Sequence, residues 1–233
     1  MSSTRMPGKV LAKHRESTML EIMVSRIRLE PRIQQIIIAT TTNPADDEIV
    51  SEAKRLGVDA FRGSEENVLE RVLGACSTSK SKHIVGLTGD CPLIAPEVIS
   101  GCIDDYIDKR PDYLSSALVR NLPDGMDCQV FPVASLERLQ DYDLSDLDKE
   151  HVTLYLRKHP ELFSLLNFDM HKSVHWPELA LTLDEPEDLK LICEILDAFF
   201  PRKDFSLDEI ISLLRANPEL QNINKHVNRK GDS

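Results

Sequence analysis

The feature that most constrains this chain is an alternation. Short apolar or β-branched runs recur, each closed by polar residues, glycine or proline, and stretches with apolar residues at helical spacing separate them. Gln34-Gln35-Ile36-Ile37-Ile38-Ala39-Thr40 reads as a buried strand. Before it, residues 18–29 place Met19, Ile22, Met23 and Ile27 at helical spacing. After it, residues 44–56 carry Asp46, Asp47 and Glu48 in a first helical turn, where the helix dipole favours acids, and Gly57 ends the helix. Val58-Asp59-Ala60-Phe61 resumes as a strand; Ser64 is expected to cap a helix through Val68, Leu69, Val72 and Leu73. His83-Ile84-Val85-Gly86-Leu87-Thr88 is another strand, and a helix over residues 96–107 follows. Strand–helix alternation of this kind predicts βαβ units and a mostly parallel, Rossmann-like sheet flanked by helices.

Residues 113–133 break the pattern. They hold strand-like pieces around Leu122-Pro123-Asp124-Gly125 and suggest a small antiparallel flap over the sheet. Helices are expected over residues 135–140, 149–158, 186–199 and 207–216, with a loose tail from 221. The 233 residues fit a single domain over about 1–220, with the 113–133 excursion. A net charge of -11 argues against nonspecific binding to nucleic acid or anionic membranes, both of which attract basic surfaces. No apolar run reaches the roughly 20 residues a membrane-spanning helix needs. Five cysteines, Cys76, Cys91, Cys102, Cys128 and Cys193, lack CxxC spacing and read as reduced thiols, which makes the cytoplasm the expected compartment.

Ligands of open parallel sheets bind beyond the carboxyl ends of the strands, so chemistry is sought just after strand-like runs. Ser2-Ser3-Thr4-Arg5-Met6-Pro7-Gly8-Lys9 combines small hydroxyl residues with two cations four positions apart, which can neutralise a polyphosphate; an ordinary basic N-terminus is the alternative. In Thr88-Gly89-Asp90-Cys91-Pro92 a carboxylate at a strand end suits Mg²⁺, which takes one or two carboxylates together with substrate phosphates; a plain Gly-Asp turn is the alternative. In Leu181-Thr182-Leu183-Asp184-Glu185-Pro186-Glu187-Asp188, Asp184 is open to the same role or to capping the next helix, while Glu187 and Asp188 are first-turn acids. Cys91 has no adjacent histidine to activate it and reads as packing.

The order of these three motifs resembles the cytidylyltransferase family, which includes spore-coat polysaccharide biosynthesis F-type proteins and the enzymes that make CMP-Kdo and CMP-sialic acids. Ala39-Thr40-Thr41-Thr42-Asn43, Phe61-Arg62-Gly63-Ser64-Glu65-Glu66, Pro123-Asp124-Gly125-Met126-Asp127 and Glu150-His151-Val152-Thr153 extend the likeness over most of the chain. The resemblance implies a nucleotide-diphospho-sugar transferase-like fold and transfer of CMP from CTP to a sugar or sugar acid with release of pyrophosphate. Position by position, it implies that Ser2, Ser3, Arg5 and Lys9 hold the nucleotide phosphates and that Asp90 and Asp184 bind Mg²⁺. It places Thr40 and Thr41 near the base, and Arg62 and Ser64 near base or sugar. Asp124, Asp127, Glu150 and His151 approach the acceptor, with His151 equally open to a structural role at the end of its helix. A homodimer is implied as well, through residues 113–133.

Family members normally begin with an apolar strand ahead of the basic loop, whereas this chain starts inside the loop at Met1. The expectation is therefore a sheet short of its first strand, whose neighbours would show unpaired edges, with a truncated or misassigned start as the explanation. Three rivals stand beside the enzyme: a transferase using another nucleoside triphosphate, a noncatalytic nucleotide- or sugar-binding relative, and a glycosyltransferase. The last normally presents an Asp-x-Asp pair, which Asp90 lacks.

Overall fold

The computed structural model of the protein describes residues 5–227; Ser2 and Ser3 of the basic loop lie outside that range. Arg5 leads into a turn of 3₁₀ helix at Lys9–Leu11, reached through Gly8 at φ 70°, a left-handed conformation that glycine adopts without steric cost. A hairpin of β1 (Lys13–His14) and β2 (Ser17–Thr18) follows. Then come α1 (Met19–Ile27), β3 (Ile37–Thr41), α2 (Asp47–Leu56), β4 (Asp59–Gly63), α3 (Val68–Ser77), β5 (His83–Gly86) and α4 (Pro96–Lys109). The chain continues through β6 (Tyr113–Ser115), β7 (Gln129–Pro132), α5 (Val133–Glu137), α6 (Asp146–Glu150) and α7 (Leu154–Lys158). It closes with β8 (Leu165–Asn167), α8 (Pro186–Phe199), α9 (Leu207–Ala216) and α10 (Pro218–Gln221).

β3 and β4 pair in parallel, Ile37 opposite Asp59 through Thr41 opposite Gly63. A separate four-stranded sheet has the order β5-β7-β6-β8. In it β7 runs antiparallel to both neighbours, and β6 and β8 are parallel. The antiparallel element expected in the 113–133 region is thus a strand inside this sheet, not a flap over it. Among the described residues no strand joins the β3–β4 pair to the four-stranded sheet.

Two-residue periodicity sorts the sheet's side chains between two cores. Val85, Leu114, Val130 and Leu166 face the larger core, built on α1, α4, α8 and α9. Ile84, Tyr113, Phe131 and Leu165 face a second core with Leu69, Leu136 and Leu156 of α3, α5 and α7. Helices therefore cover both faces. A third, smaller cluster joins Leu20, Val24 and Ile49 to Ile36, Ile38, Val10 and Leu11, which seats the start of the chain beside β3.

Several boundaries differ from the expectation, each for a local reason. Asn67, not Ser64, caps α3: its side chain accepts from Glu70 N–H, while Ser64 Oγ accepts from Asn67 N–H. The single helix expected over 149–158 is two, because His151 ends α6 with φ -99° and ψ 52°. Of the tail expected from 221, the described residues up to 227 are anchored through Asn224, whose buried amide donates to Ala180 O and Asp188.

Candidate active site

The residues of the three motifs meet at the carboxyl ends of the strands. Lys9 Nζ lies 3.0 Å from Asp90 Oδ2 and 2.8 Å from Asp184 Oδ1. Arg5 adds a second cation, 3.1 Å from Asp184 and 3.6 Å from Glu185. Burial alone would lower the Lys9 pKa, but Asp90 and Asp184 outweigh it and hold the ammonium above its ordinary value. Burial pushes the Asp90 carboxyl up, yet Lys9 and Thr88 prevail and keep it below its ordinary value. Both groups are charged at neutral pH.

Local structure explains why these positions converge. Asp90 sits in the turn after β5, with Cys91 N–H donating to Thr88 O. The extended segment 180–184 runs between this turn and the loop that carries Asp124. Leu183 N–H donates to Asp90 O, and Leu181 N–H to Asp124 O. Asp184 does not cap α8; Glu185 does, in a reciprocal arrangement with Asp188. The buried Asp188 carboxylate accepts from Asp184 N–H at 3.0 Å and Glu185 N–H at 2.9 Å, which fixes the direction in which Asp184 leaves the chain.

Two carboxylates converging on one ammonium form the hard-oxygen donor set that suits Mg²⁺ in company with phosphate oxygens. Among the described residues no cluster of three or more His, Cys, Asp or Glu side chains could hold a metal alone. Asp90 and Asp184 therefore fit a cation whose remaining ligands come from substrate and water. Cys91 is buried, and its thiol is pushed well above its ordinary value, so it serves as packing beside Asp90.

In the neighbouring loop, Arg120 gathers Asp124 and Asp127. Its Nη1 is 3.3 Å from Asp124, and Nη1 and Nη2 meet the two Asp127 oxygens at 2.9 and 3.0 Å. Thr182 Oγ1 donates to Asp124 at 3.3 Å, two residues before Asp184, so this group adjoins the Lys9 cluster along one strand-like segment. Glu150 and His151 are exposed at the end of α6 and make no contact with Lys9, Asp90 or Asp184.

On the β3–β4 side, Thr40 and Thr41 turn inward to the buried Asp46, which accepts from Thr40 Oγ1 at 2.6 Å, Thr41 Oγ1 at 2.7 Å and Thr41 N–H at 2.9 Å. Arg62 is likewise engaged, donating to Thr41 O, Asn43 O and Asp47. Sequence reasoning missed Arg120, Asp46 and Asp188 as site-shaping residues. Only Arg120 carried a visible signal, a cation four residues before Asp124.

Comparison with known proteins is consistent with this geometry. A family model described as cytidylyltransferase matches residues 1–216. The chain is 34% identical over 226 residues to a Bacillus subtilis protein named spore coat polysaccharide biosynthesis protein SpsF, covering 94% of this chain and 92% of that one. It is 34% identical over 125 residues to a 3-deoxy-manno-octulosonate cytidylyltransferase of Solibacter usitatus, covering 53% of this chain and 48% of that one. Its fold is similar to the solved structure of a cytidylyltransferase from Leptospira borgpetersenii, with a TM-score of 0.90 at 28% identity over 99% of this chain and 95% of that one. No helix among the described residues is long and apolar enough to cross a membrane.

Proposed function

Since the chain belongs to the cytidylyltransferase family, we propose that it transfers CMP from CTP to a hydroxyl of a sugar or sugar acid, with Mg²⁺, at the site built on Lys9, Asp90 and Asp184. The observation that carries this is the approach of Lys9 Nζ within 3.0 Å of both carboxylates, joined by Arg5 at Asp184. Arg5 and Lys9 are the cations that take the phosphates, and Asp90 and Asp184 are the residues that would hold Mg²⁺. Bound there, the ion supplies positive charge to the triphosphate oxygens. The acceptor hydroxyl attacks the α-phosphorus; a phosphorus–oxygen bond to the sugar forms as the bond to pyrophosphate breaks. Such transfer needs positioning and charge stabilisation more than a covalent partner, and no activated nucleophile stands among the site residues described. Asp124 and Asp127, held by Arg120, line the acceptor side.

The relatives named for spore-coat polysaccharide and for 3-deoxy-manno-octulosonate support a glycan-building role. We extend the proposal to a cytoplasmic homodimer; Val119, 59% exposed within the 113–133 region, is an apolar residue open to a second copy. Sedimentation of the purified protein measures this directly.

The test of activity is pyrophosphate release with Mg²⁺, each of the four nucleoside triphosphates, and a panel of sugars and sugar acids. CTP should be preferred, and Asp90→Asn and Asp184→Asn should each lower the rate about a hundredfold or more, the scale seen when one preorganised charge-stabilising group is removed. CTP binding without release for any acceptor would favour the noncatalytic module, and undiminished turnover in both variants would remove the site.

A further inference from the structure

Asn224 lies past the end of α10, in a part of the chain that none of the site's motifs includes, and its side chain is buried. Its amide nitrogen has two hydrogens, and both are used inside the protein. One meets Asp188 Oδ1 at 2.8 Å and the other Ala180 O at 3.0 Å. Ala180 begins the extended segment that Asp184 ends. Asp188 is the carboxylate whose other oxygen, Oδ2, accepts from Asp184 N–H and Glu185 N–H. Asn224 therefore holds both ends of the stretch that delivers Asp184 to the site.

The remaining fastenings of this stretch run sideways: Leu181 N–H donates to Asp124 O, and Leu183 N–H to Asp90 O. Only the Asn224 amide, among these contacts, spans it lengthwise. A carboxylate bonded through one oxygen can pivot about that contact. With Asn224 on Oδ1, Asp188 is fixed through both oxygens, and at 0% exposure it has no bulk water to take the amide's place. Asn224 is itself well seated. Leu220 and Ile223 pack against the larger core, and Val227 N–H donates to Asn224 O.

We propose that Asn224 is a positioning residue for the metal site: its amide clamps Ala180 to Asp188 and so sets where Asp184 presents its carboxylate to Mg²⁺. This rests on the nucleotide-transfer function proposed above. Groups behind a metal ligand govern affinity by fixing the ligand's orientation, and here the orienting group comes from a segment distant in sequence from every residue of the site.

Amide exchange followed by NMR in the ligand-free protein, together with calorimetric titration, tests it in wild type, Asn224→Leu and Leu220→Ala. The last is a control that loosens the same end of the chain by removing apolar contact with the core. In Asn224→Leu the Asp184 and Glu185 amides should exchange at least about tenfold faster, and Mg²⁺ affinity in the presence of CTP should fall about tenfold. CTP binding without metal should not weaken, because Arg5 and Lys9 are untouched. Leu220→Ala should lower the melting temperature and leave exchange and Mg²⁺ affinity at their wild-type values. Asn224→Ser keeps one short donor that cannot reach both partners, and it supplies the readout if the leucine variant does not fold. Wild-type Mg²⁺ affinity in the Asn224 variants overturns the inference, whether or not exchange quickens, and leaves the proposed function standing. An equal loss of Mg²⁺ affinity in Leu220→Ala overturns it as well, since general loosening would then suffice. A wild-type protein that binds neither CTP nor Mg²⁺ overturns the proposed function and this inference together.

Discussion

Arg26 lies on the apolar face of α1, fully buried, with its guanidinium stacked 4.1 Å from the Phe205 ring centroid. It donates to Ile94 O, Lys203 O and Phe205 O, tying α1 to the loop before α4 and to the loop between α8 and α9. Burial lowers its pKa to about 10, still high enough to keep it charged at neutral pH. Arg26→Met would fit the apolar surroundings but orphan those carbonyls, and we expect a loss of about 3–5 kcal/mol in denaturant unfolding. Glu30 is a second buried charge, held down to about 2 by Arg32 and Ser100 against an ordinary value of 4.5. Its folded-state pKa is depressed, so its stabilisation is complete above pH 4.5 and is lost as pH falls from there towards 2. Wild type should therefore exceed Glu30→Gln by about 2–3 kcal/mol at neutral pH, with the gap closing below pH 4.5 in urea titrations across pH. Neither residue announces itself in the sequence, because spacing alone does not separate a buried, fully bonded arginine from a solvated one. Asp90 and Asp184 follow apolar runs, but a turn and a helix cap were equally open to them, and it was the order of the motifs that singled them out.

Elements with long periodic patterns were legible: α8 and α9 run over the residues their spacing predicts, as does α4 apart from two further residues at its end. What spacing hides is partnership. Residues 113–133 read as strand-like pieces of a flap over the sheet, yet Leu122, Met126 and Cys128 are buried, because β7 enters the sheet between β5 and β6. Hydrogen bonding between strands distant in sequence decides that insertion, and no local pattern records it. The tight point of the loop is Gly125, at φ 97°, where an added Cβ would stand 2.8 Å from Leu181 C and 2.9 Å from Thr182 N. Both are backbone atoms of the segment leading to Asp184. Gly125→Ala should cost about 2–4 kcal/mol through strain and overlap. It should also lower turnover more than an equally destabilising core substitution, because it displaces Asp124 and Asp127 against the segment carrying Asp184. Matched melting and rate measurements separate the two effects.

At the scale of the whole molecule, the pieces of the site come from distant parts of one chain: a loop at its beginning, the turn after β5, and the segment before α8. The sequence shows each piece as a motif; only their order made them one site in advance, and the residues predicted one mostly parallel sheet where the β3–β4 pair and the four-stranded sheet stand apart among the described residues. The bridge made by Lys9 has a consequence for how ligands arrive. With its ammonium seated between Asp90 and Asp184, the protein carries its own counter-ion, and a dication must compete with a tethered rival always at high local concentration. On the proposed function, the phosphates of a nucleotide would offer Lys9 another anion and so release the carboxylates; nucleotide and metal would then be coupled ligands, each improving the other's affinity by the same factor. Isothermal titration should find Mg²⁺ binding weak to the protein alone and at least about tenfold tighter with CTP present, and Lys9→Met should bind the ion more tightly without nucleotide while losing most of that coupling.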